Sequence, residues 1–486
     1  MKQKQLIFVV AYEAEAHIPE LFERIRQSGL EATHDILVID DASGDKTAEV
    51  AKRLASGLST KTTVLRNPSN LGYGGNQKLG YEYAIREGYE AVVLLHGDCQ
   101  YPPEFIPEMT RPIVEGRADV VFGSRMLDKK SALRGGMPLY KWIGNQVTTA
   151  VQNFLLGAKF SECHTGFRAY RVPLLAKIPF RYNSNGFHFD ADIIIQCHRA
   201  GARFLEIPIP TRYSTEICRV NGVQYCWNCF KSGLADRCTQ MEIFYSRKFD
   251  LQQKPVYESK LGLTGSSHEV ALRMVPEGSK VVDLGGGNGA LARELKKKGC
   301  RVTVVDTQLD LQDEENITTV HASVEDLAQI PKAEVVLLMD VIEHIRRNEQ
   351  FLLLEKIRVM GSTQPTKVIV SVPNSVFLPV RVMMMLGRIN YGRRGILDET
   401  HAFLFTRHSL RSLLLSAGYK IGRVEYTSAP VAFAFPGLPR FSRFLSSLQL
   451  RLAHLLPGWF AYQIVAEAYP AATVSALLQA AEEARS

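Results

Sequence analysis

Between residues 5 and 125 the chain alternates short apolar runs with amphipathic stretches, and this alternation limits the possible folds more than any other feature. Leu6 to Val10, Ile36 to Ile39, Thr63 to Leu65, Val92 to Leu95 and Val120 to Phe122 read as strands, with helices between them such as Glu15 to Ser28 and Thr47 to Ala55. Such alternation implies a mostly parallel sheet with helices on both faces. The run Val92 to Leu95 stops at His96-Gly97-Asp98-Cys99-Gln100, and Pro102-Pro103 then prevents either strand or helix from continuing. In α/β sheets, ligands bind just beyond the carboxyl ends of strands. His96, Asp98 and Gln100 alternate there, so their side chains are expected to converge, and imidazole with carboxylate suits a divalent cation.

The other strand ends are polar as well. Tyr12-Glu13 follow the first, Asp40-Asp41-Ala42-Ser43-Gly44-Asp45 the second, and Asn67 to Gly75 the third. Acids there can accept from a base or ribose, while Gly72, Gly74 and Gly75 allow backbone to approach a ligand closely. Each piece alone is an ordinary cap or turn; together on one sheet edge they point to a nucleotide cleft.

At 486 residues the chain allows two to four domains of about 150 residues each. Apolar content of 46% and charged content of 22% exclude disordered and collagen-like classes. The net charge of +8 gathers in runs at Lys129-Lys130, Arg134 to Lys141 and Arg388 to Arg394, which favours nucleotide phosphates, lipid phosphates or an acidic bilayer face; nucleic acid is not expected. Eight cysteines without a signal-like opening imply a reducing cytosol. Cys226 and Cys229 lack a second pair at zinc-site spacing and read as core or helix-face residues. No window reaches about 18 uninterrupted apolar residues, so no transmembrane helix is expected.

The first 240 or so residues resemble a family 2 glycosyltransferase of the GT-A fold, in its dolichol-phosphate-mannose-synthase-like branch. The resemblance rests on Ala11-Tyr12, Asp40 to Asp45, Asn70 to Asn76, His96 to Glu104, Gly123-Ser124-Arg125 and Thr165-Gly166-Phe167-Arg168, in that order. It implies that Tyr12, Asp40, Asp41 and Gly74 border a nucleotide-sugar donor, that His96, Asp98 and Gln100 hold manganese or magnesium with the diphosphate, and that Arg125 neutralises phosphate charge. It also implies an acceptor side at Phe187 to Asp192 and inversion at the anomeric carbon. Two departures stand out: His96 replaces the family's usual opening Asp, and Val10-Ala11-Tyr12-Glu13-Ala14 replaces a Pro-x-Tyr-Asn-Glu opening. A lipid-phosphate acceptor needs no general base, whereas a sugar hydroxyl does; Asp190 and Asp192 are the candidates, and Asp192 also reads as a helix-start acid.

Periodicity fades over residues 241–268, which read as a linker. A second core follows. Lys280 to Leu284 runs into Gly285-Gly286-Gly287-Asn288-Gly289, and the strand Arg301 to Val305 ends in Asp306, 21 residues beyond Gly285. A glycine turn with an acid at that spacing suits a nucleoside cofactor, and geometry alone leaves both NAD and S-adenosylmethionine open. From about residue 264 to 470 the chain resembles a class I S-adenosylmethionine-dependent methyltransferase, on Asp283 to Gly289 and Asp340-Val341-Ile342-Glu343-His344. By that resemblance Asp283, Gly285, Gly287 and Gly289 border the methionine part, Asp306 binds ribose and Asp340 lies beside the sulfonium. Ser323 stands where relatives place an acid near adenine, with Glu325 or Asp326 as substitutes. Asp340, Glu343, His344 and His401 can either form a metal site or order the cofactor pocket, and His344 or His401 can deprotonate a hydroxyl.

The expected architecture is therefore α/β with two doubly wound domains: a GT-A nucleotide-sugar domain over 1–240 and a Rossmann-like class I methyltransferase domain over 269–470. The latter carries a basic amphipathic insertion at 430–459, suited to a bilayer surface, core packing or a dimer contact. A helical tail is expected over 471–486. The expected function is bifunctional, a sugar transferred to a glycan or polyprenyl-phosphate-linked acceptor and a methyl group to a hydroxyl in surface polysaccharide or glycolipid assembly, in the cytoplasm and at the inner membrane face. Two other readings remain: a glycosyltransferase-like domain that binds without transferring, and a membrane-surface scaffold.

Overall fold

The computed structural model describes residues 4–211, 220–251, 265–309, 311–361, 366–435, 438–472 and 478. They form two compact units: the chain up to Arg237 with the segment from Ser246, and Cys238–Tyr245 with the chain from Lys254.

Among the described residues the first unit has seven strands: β1 (Gln5–Ala11), β2 (His34–Asp40), β3 (Thr62–Arg66), β4 (Ala91–His96), β5 (Val120–Ser124), β6 (Arg168–Arg171) and β7 (Phe204–Pro208). Their order is β3-β2-β1-β4-β6-β5-β7. Only β6 runs against its neighbours. Residues Leu6 to Val9 and Val92 to Leu95 are fully buried, as an unbroken apolar run must be when helices cover both sheet faces. The helix Tyr73–Arg86 lies close on β1 because Gly80 faces the Phe8 ring; a Cβ on Gly80 would stand 2.1 Å from that ring. The helix expected from Glu15 begins at Ile18, with Pro19 in its first turn.

The described residues of the second unit also form seven strands: β8 (Lys280–Leu284), β9 (Arg301–Asp306), β10 (Ile317–His321), β11 (Val335–Met339), β12 (Lys367–Pro373), β13 (Tyr419–Tyr426) and β14 (Gln463–Pro470). Their order is β10-β9-β8-β11-β12-β14-β13, and β14 is antiparallel to both neighbours. In both sheets the chain starts in the middle, winds outward to one side and then crosses to the other. The order thus reverses beside β1 and β4 in one unit and beside β8 and β11 in the other, where an open sheet forms a crevice.

The linker expectation needs correction. Part of 241–268 lies outside the described residues, but its described beginning is packed: Phe249 is buried in the first unit's core and Ile243 and Phe244 pack in the second unit's. Aromatic side chains do not leave water without a core to enter, and these have one. Most of the tail expected over 471–486 lies outside the described residues. Among those described, no helix is long and apolar enough to cross a membrane.

Candidate active sites

The ends of β1, β2 and β4 are tied together by backbone: Asp41 N–H donates to Ala11 O (2.9 Å) and Gly97 N–H to Val10 O (2.9 Å). Tyr12 is exposed beyond β1, and Glu13, at φ +49°, donates its N–H to Ser43 Oγ (2.8 Å). The two acids after β2 turn inward. Asp40 accepts from the Ser43 hydroxyl and backbone N–H and pairs with Arg66 Nε (3.3 Å). Asp41 accepts from Asn67 Nδ2 (2.7 Å) and from the N–H groups of Leu71 and Gly72 (2.9 Å each). Buried carboxylates need such donors, and here they fold the glycine loop against the sheet. Gly74 differs from expectation: its N–H donates to Asn185 O (2.8 Å), and a Cβ there would meet Ser184 O at 2.4 Å and Phe189 Cβ at 2.6 Å. Close packing of protein on protein demands this glycine, not close approach of a ligand.

The strand-end trio also departs from the expected alternation. β4 ends at His96, and Cys99 adopts φ +60°, so no extended backbone carries Asp98 and Gln100 on one side. Asp98, half-buried, accepts from Gln100 N–H (3.1 Å). The His96 ring is edge-on to Tyr73 and Tyr101, with Nε2 3.1 Å from Tyr73 Oη. A Cβ on Gly166 would stand 2.5 Å from that nitrogen. Burial pushes the imidazole below its ordinary pKa, so His96 sits here as a neutral ring.

Tyr73 Oη also donates to Asp190 Oδ2 (3.2 Å), which brings Asp190 into the same cluster. Gln77 Nε2 donates to Asp190 (3.1 Å), and fully buried Arg168 pairs with it (3.4 Å). Asp192 faces elsewhere, accepting from Ser184 N–H (3.1 Å) and Lys248 Nζ (2.7 Å). Thus only one of the two candidate bases joins the strand-end cluster. Arg125, after β5, is buried against Glu162, to which it donates through its backbone N–H (2.8 Å), Nε (3.1 Å) and Nη2. Asn145 Nδ2 donates to the same carboxylate (2.9 Å). Burial pushes Glu162 up, but the Arg125 guanidinium outweighs it and holds the carboxyl below the usual range. Glu162, Tyr73 and Gln77 were not singled out from the sequence; Tyr73 lies within the glycine loop and Gln77 just after it, which was the available signal.

In the second unit the turn after β8 is built from backbone that only glycine adopts easily: Gly285, Gly287 and Gly289 have φ of +78°, +52° and +70°. Gly285 N–H donates to Val305 O (2.7 Å). Asp306 accepts from Gly287 N–H (2.9 Å) and Gln308 N–H (2.8 Å). Asp283 is buried beneath Gly286, and burial together with the charge of Asp306 pushes its carboxyl up to about 7. Asp340 has φ +57°, strained for a residue with a Cβ. Its carboxylate accepts from Ser371 Oγ (2.6 Å) and from Gln463 Nε2 (2.8 and 2.7 Å). Ser371 and Gln463 come from β12 and β14, so no local motif could reveal them. Glu325 and Asp326 are both exposed.

Glu343, His344 and His401 place one ligand atom each within 4.8 Å of one another. Each histidine fixes its Nδ1 on the main chain: His344 on Thr400 O (3.3 Å), with Thr400 Oγ1 also at 2.9 Å, and His401 on Ile396 O (3.1 Å). An Nδ1–H donated to a carbonyl leaves Nε2 with a lone pair, able to take a proton or a metal. Burial, with His344 beside it, pushes His401 down, so the ring is neutral near pH 7.

Residues 6–178 match the family Glycosyl transferase family 2, and residues 266–424 match the family Methyltransferase domain. An uncharacterized protein of Methanocaldococcus jannaschii is 30% identical over 214 residues, 43% of this chain and 83% of that one. The undecaprenyl-phosphate mannosyltransferase of Micrococcus luteus is 28% identical over 42% of this chain and 82% of its own length. The polyprenol monophosphomannose synthase of Mycolicibacterium smegmatis is 26% identical over 43% and 77%. Among solved structures, a glucosyl-3-phosphoglycerate synthase from Mycobacterium tuberculosis with Mn2+ and UDP is 15% identical, with a TM-score of 0.36 over 49% of this chain and 80% of that one. A Burkholderia thailandensis methyltransferase with S-adenosylhomocysteine is 14% identical, with a TM-score of 0.28 over 43% and 79%. Likeness that low bears on neither substrate nor mechanism.

Proposed function

The chain belongs to glycosyl transferase family 2 through its first unit and carries a methyltransferase domain in its second, and on that premise we propose that it glycosylates a polyprenyl-phosphate-linked acceptor and methylates a hydroxyl of the same glycan or carrier. The observation that supports this most directly is positional. In each sheet the polar strand ends gather at the point where strand order reverses: Tyr12, Asp41 and Asp98 in one, Gly285, Asp306 and Asp340 in the other.

In the donor site, half-buried Asp98 is the carboxylate at the crevice, with Gln100 beside it, and that donor set fits a manganese- or magnesium-class ion. Such an ion, when bound, neutralises the diphosphate leaving group. Asp41 acts at one remove, holding the loop of Leu71 and Gly72; Arg125 reaches phosphate only while shared with Glu162. Asp190 is already engaged by Arg168, Gln77 and Tyr73, which suits an acceptor phosphate that is already ionised and needs no base. The names of the two mannosyltransferase relatives point the same way. So does the helix Leu139–Leu156, whose Leu139, Tyr140, Ile143, Val147, Val151 and Phe154 form one exposed apolar stripe. The neighbouring helix Gly222–Gln240 exposes Val223, Trp227 and Leu234. Asn145 links the stripe helix to Glu162 and so to Arg125, a route by which a lipid tail lies outside while its phosphate reaches the cleft.

In the second unit Asp306 and the glycine turn fit the nucleoside of S-adenosylmethionine, which supplies an electrophilic methyl group when bound. Nε2 of His401, oriented by the Nδ1 bond to Ile396 O, would take the acceptor hydroxyl's proton as that oxygen bonds to the methyl carbon and the methyl–sulfur bond breaks, leaving S-adenosylhomocysteine. Glu343, His344 and His401 also have the donor set of a divalent cation, the other way to acidify a hydroxyl.

A second reading, that the first unit binds a nucleotide or glycan without transfer, is favoured by the enclosure of His96 and the commitment of Arg125 to Glu162. Calorimetry separates the two. UDP or GDP binding that requires manganese, and that is lost in Asp98→Asn, supports transfer; no nucleotide binding under any condition leaves methylation as the chain's chemistry. Binding of S-adenosylhomocysteine that is lost in Asp306→Ala tests the second unit independently.

A further inference from the structure

The helix Pro439–Leu455 in the second unit is amphipathic in the wrong sense for water. Its buried residues are Ser442, Ser446 and Ala453, while Phe444 is 63% and Leu455 75% exposed, with Phe441 and Leu448 also outward. A helix covering a soluble core does the reverse. Beside it, the helix Leu378–Met385 and the turn after it expose Met385 at 86% and Leu386 at 67%, with Val382, Ile389 and Tyr391. This second element adjoins the turn Pro457–Phe460 that follows the first: Arg381 Nη2 donates to Gly458 O (3.2 Å), and its guanidinium lies 4.3 Å above the exposed Trp459 ring.

Within the two segments that build this apolar surface the charge has one sign, and Glu425 stands beside His454 at the helix's end. Residues 374–397 carry Arg381, Arg388, Arg393 and Arg394 without an Asp or Glu, and residues 426–466 carry Arg440, Arg443 and Arg451 without an Asp or Glu. Such a face repels a second copy of itself and suits a surface that is apolar inside and anionic outside. We propose that this face seats the second unit on an anionic lipid bilayer, its large side chains among the acyl chains and its arginines on the headgroups.

The face is joined to the cofactor edge. Asn374, just after β12, donates its Nδ2 to Ala461 O (2.8 Å) and Pro457 O (3.3 Å), and Gln463, which holds Asp340, follows four residues after Trp459. Granted the methyltransferase reading above, the hydroxyl it methylates belongs to a lipid-linked glycan presented at the membrane surface and not to a free sugar nucleotide.

The chain's three tryptophans, Trp142, Trp227 and Trp459, allow a local test. In the full-length Trp142→Phe/Trp227→Phe protein, Trp459 emission should shift to the blue and be quenched by brominated lipid in phosphatidylglycerol vesicles. It should stay unchanged with phosphatidylcholine, and apparent affinity should fall about tenfold on raising salt from 0.1 to 0.5 M. Arg440→Gln/Arg443→Gln/Arg451→Gln should lose the quenching while S-adenosylhomocysteine binding persists. Unquenched Trp459 in phosphatidylglycerol, with S-adenosylhomocysteine still bound, overturns the proposal, as does self-association in sedimentation that shields Trp459 without lipid. The companion Trp142→Phe/Trp459→Phe protein reports from Trp227 in the first unit, so a failed lipid-acceptor reading there is distinguishable from a failed bilayer face here. Loss of S-adenosylhomocysteine binding in every variant faults the methyltransferase reading and leaves the vesicle result to stand by itself.

Discussion

The two crevices form at corresponding reversal points of two sheets, yet they use their polar residues in opposite ways. At the first, the residues that mark the motif are largely consumed by the protein: Asp41 by Asn67, Leu71 and Gly72, Arg125 by Glu162, Asp192 by Lys248. At the second, backbone shapes the crevice. Three glycines and Asp340 hold positive φ, and Asp306 braces the turn from the side. A motif residue can thus mark a site by building its walls, and its mutation then reads out as stability before it reads out as chemistry.

The largest break in that comparison is expected from Glu162→Ala. It strands the buried Arg125 guanidinium, and urea unfolding of the first unit should lose about 4 kcal/mol, whereas an equal truncation at half-buried Asp306 should cost S-adenosylhomocysteine affinity with little change in unfolding. Next is Asp283→Asn. The folded-state carboxyl stands near 7, above the unfolded value of about 3.9, so its contribution is fully present below about pH 4 and is lost as pH rises through about 7. The second unit of the parent protein should therefore lose stability across that window, and the variant should not, being more stable at pH 8 by about 4 kcal/mol in thermal unfolding followed against pH. Gly74→Ala comes third. Its Cβ would strike Ser184 O and Phe189 Cβ, so a loss of about 2 kcal/mol is expected; unchanged stability with weakened nucleotide binding would instead restore the ligand-approach role. Smallest is Tyr73→Phe, which removes the hydroxyl between His96 and Asp190 and should cost about 1 kcal/mol.

Strands were legible where apolar runs were continuous, because burial on both sheet faces leaves that trace: β1, β2, β4 and β5 all stand where the runs are. β6, with the sequence Arg168-Ala169-Tyr170-Arg171, has no such run and is buried through an ion pair and an aromatic ring, so periodicity could not reveal it. β7 is only half-buried and blends into its surroundings. At the crevices, the glycine turn after β8 and the strand-end Asp306 beside it were readable as neighbours because they follow one another at short range. Glu162, Ser371 and Gln463 were not, since each meets its partner across 31 to 123 residues.

The sequence by itself determined two α/β sheets, the polar strand ends and the glycine turn, because period, apolar runs and backbone permissiveness are properties of neighbouring residues. Only the tertiary structure decided that Asp190 joins His96 while Asp192 turns to Lys248, that Arg125 spends its fork on Glu162, and that the helix Pro439–Leu455 buries serines and exposes phenylalanines. Those outcomes depend on which groups lose water together, and that is set by the meeting of segments far apart in the chain.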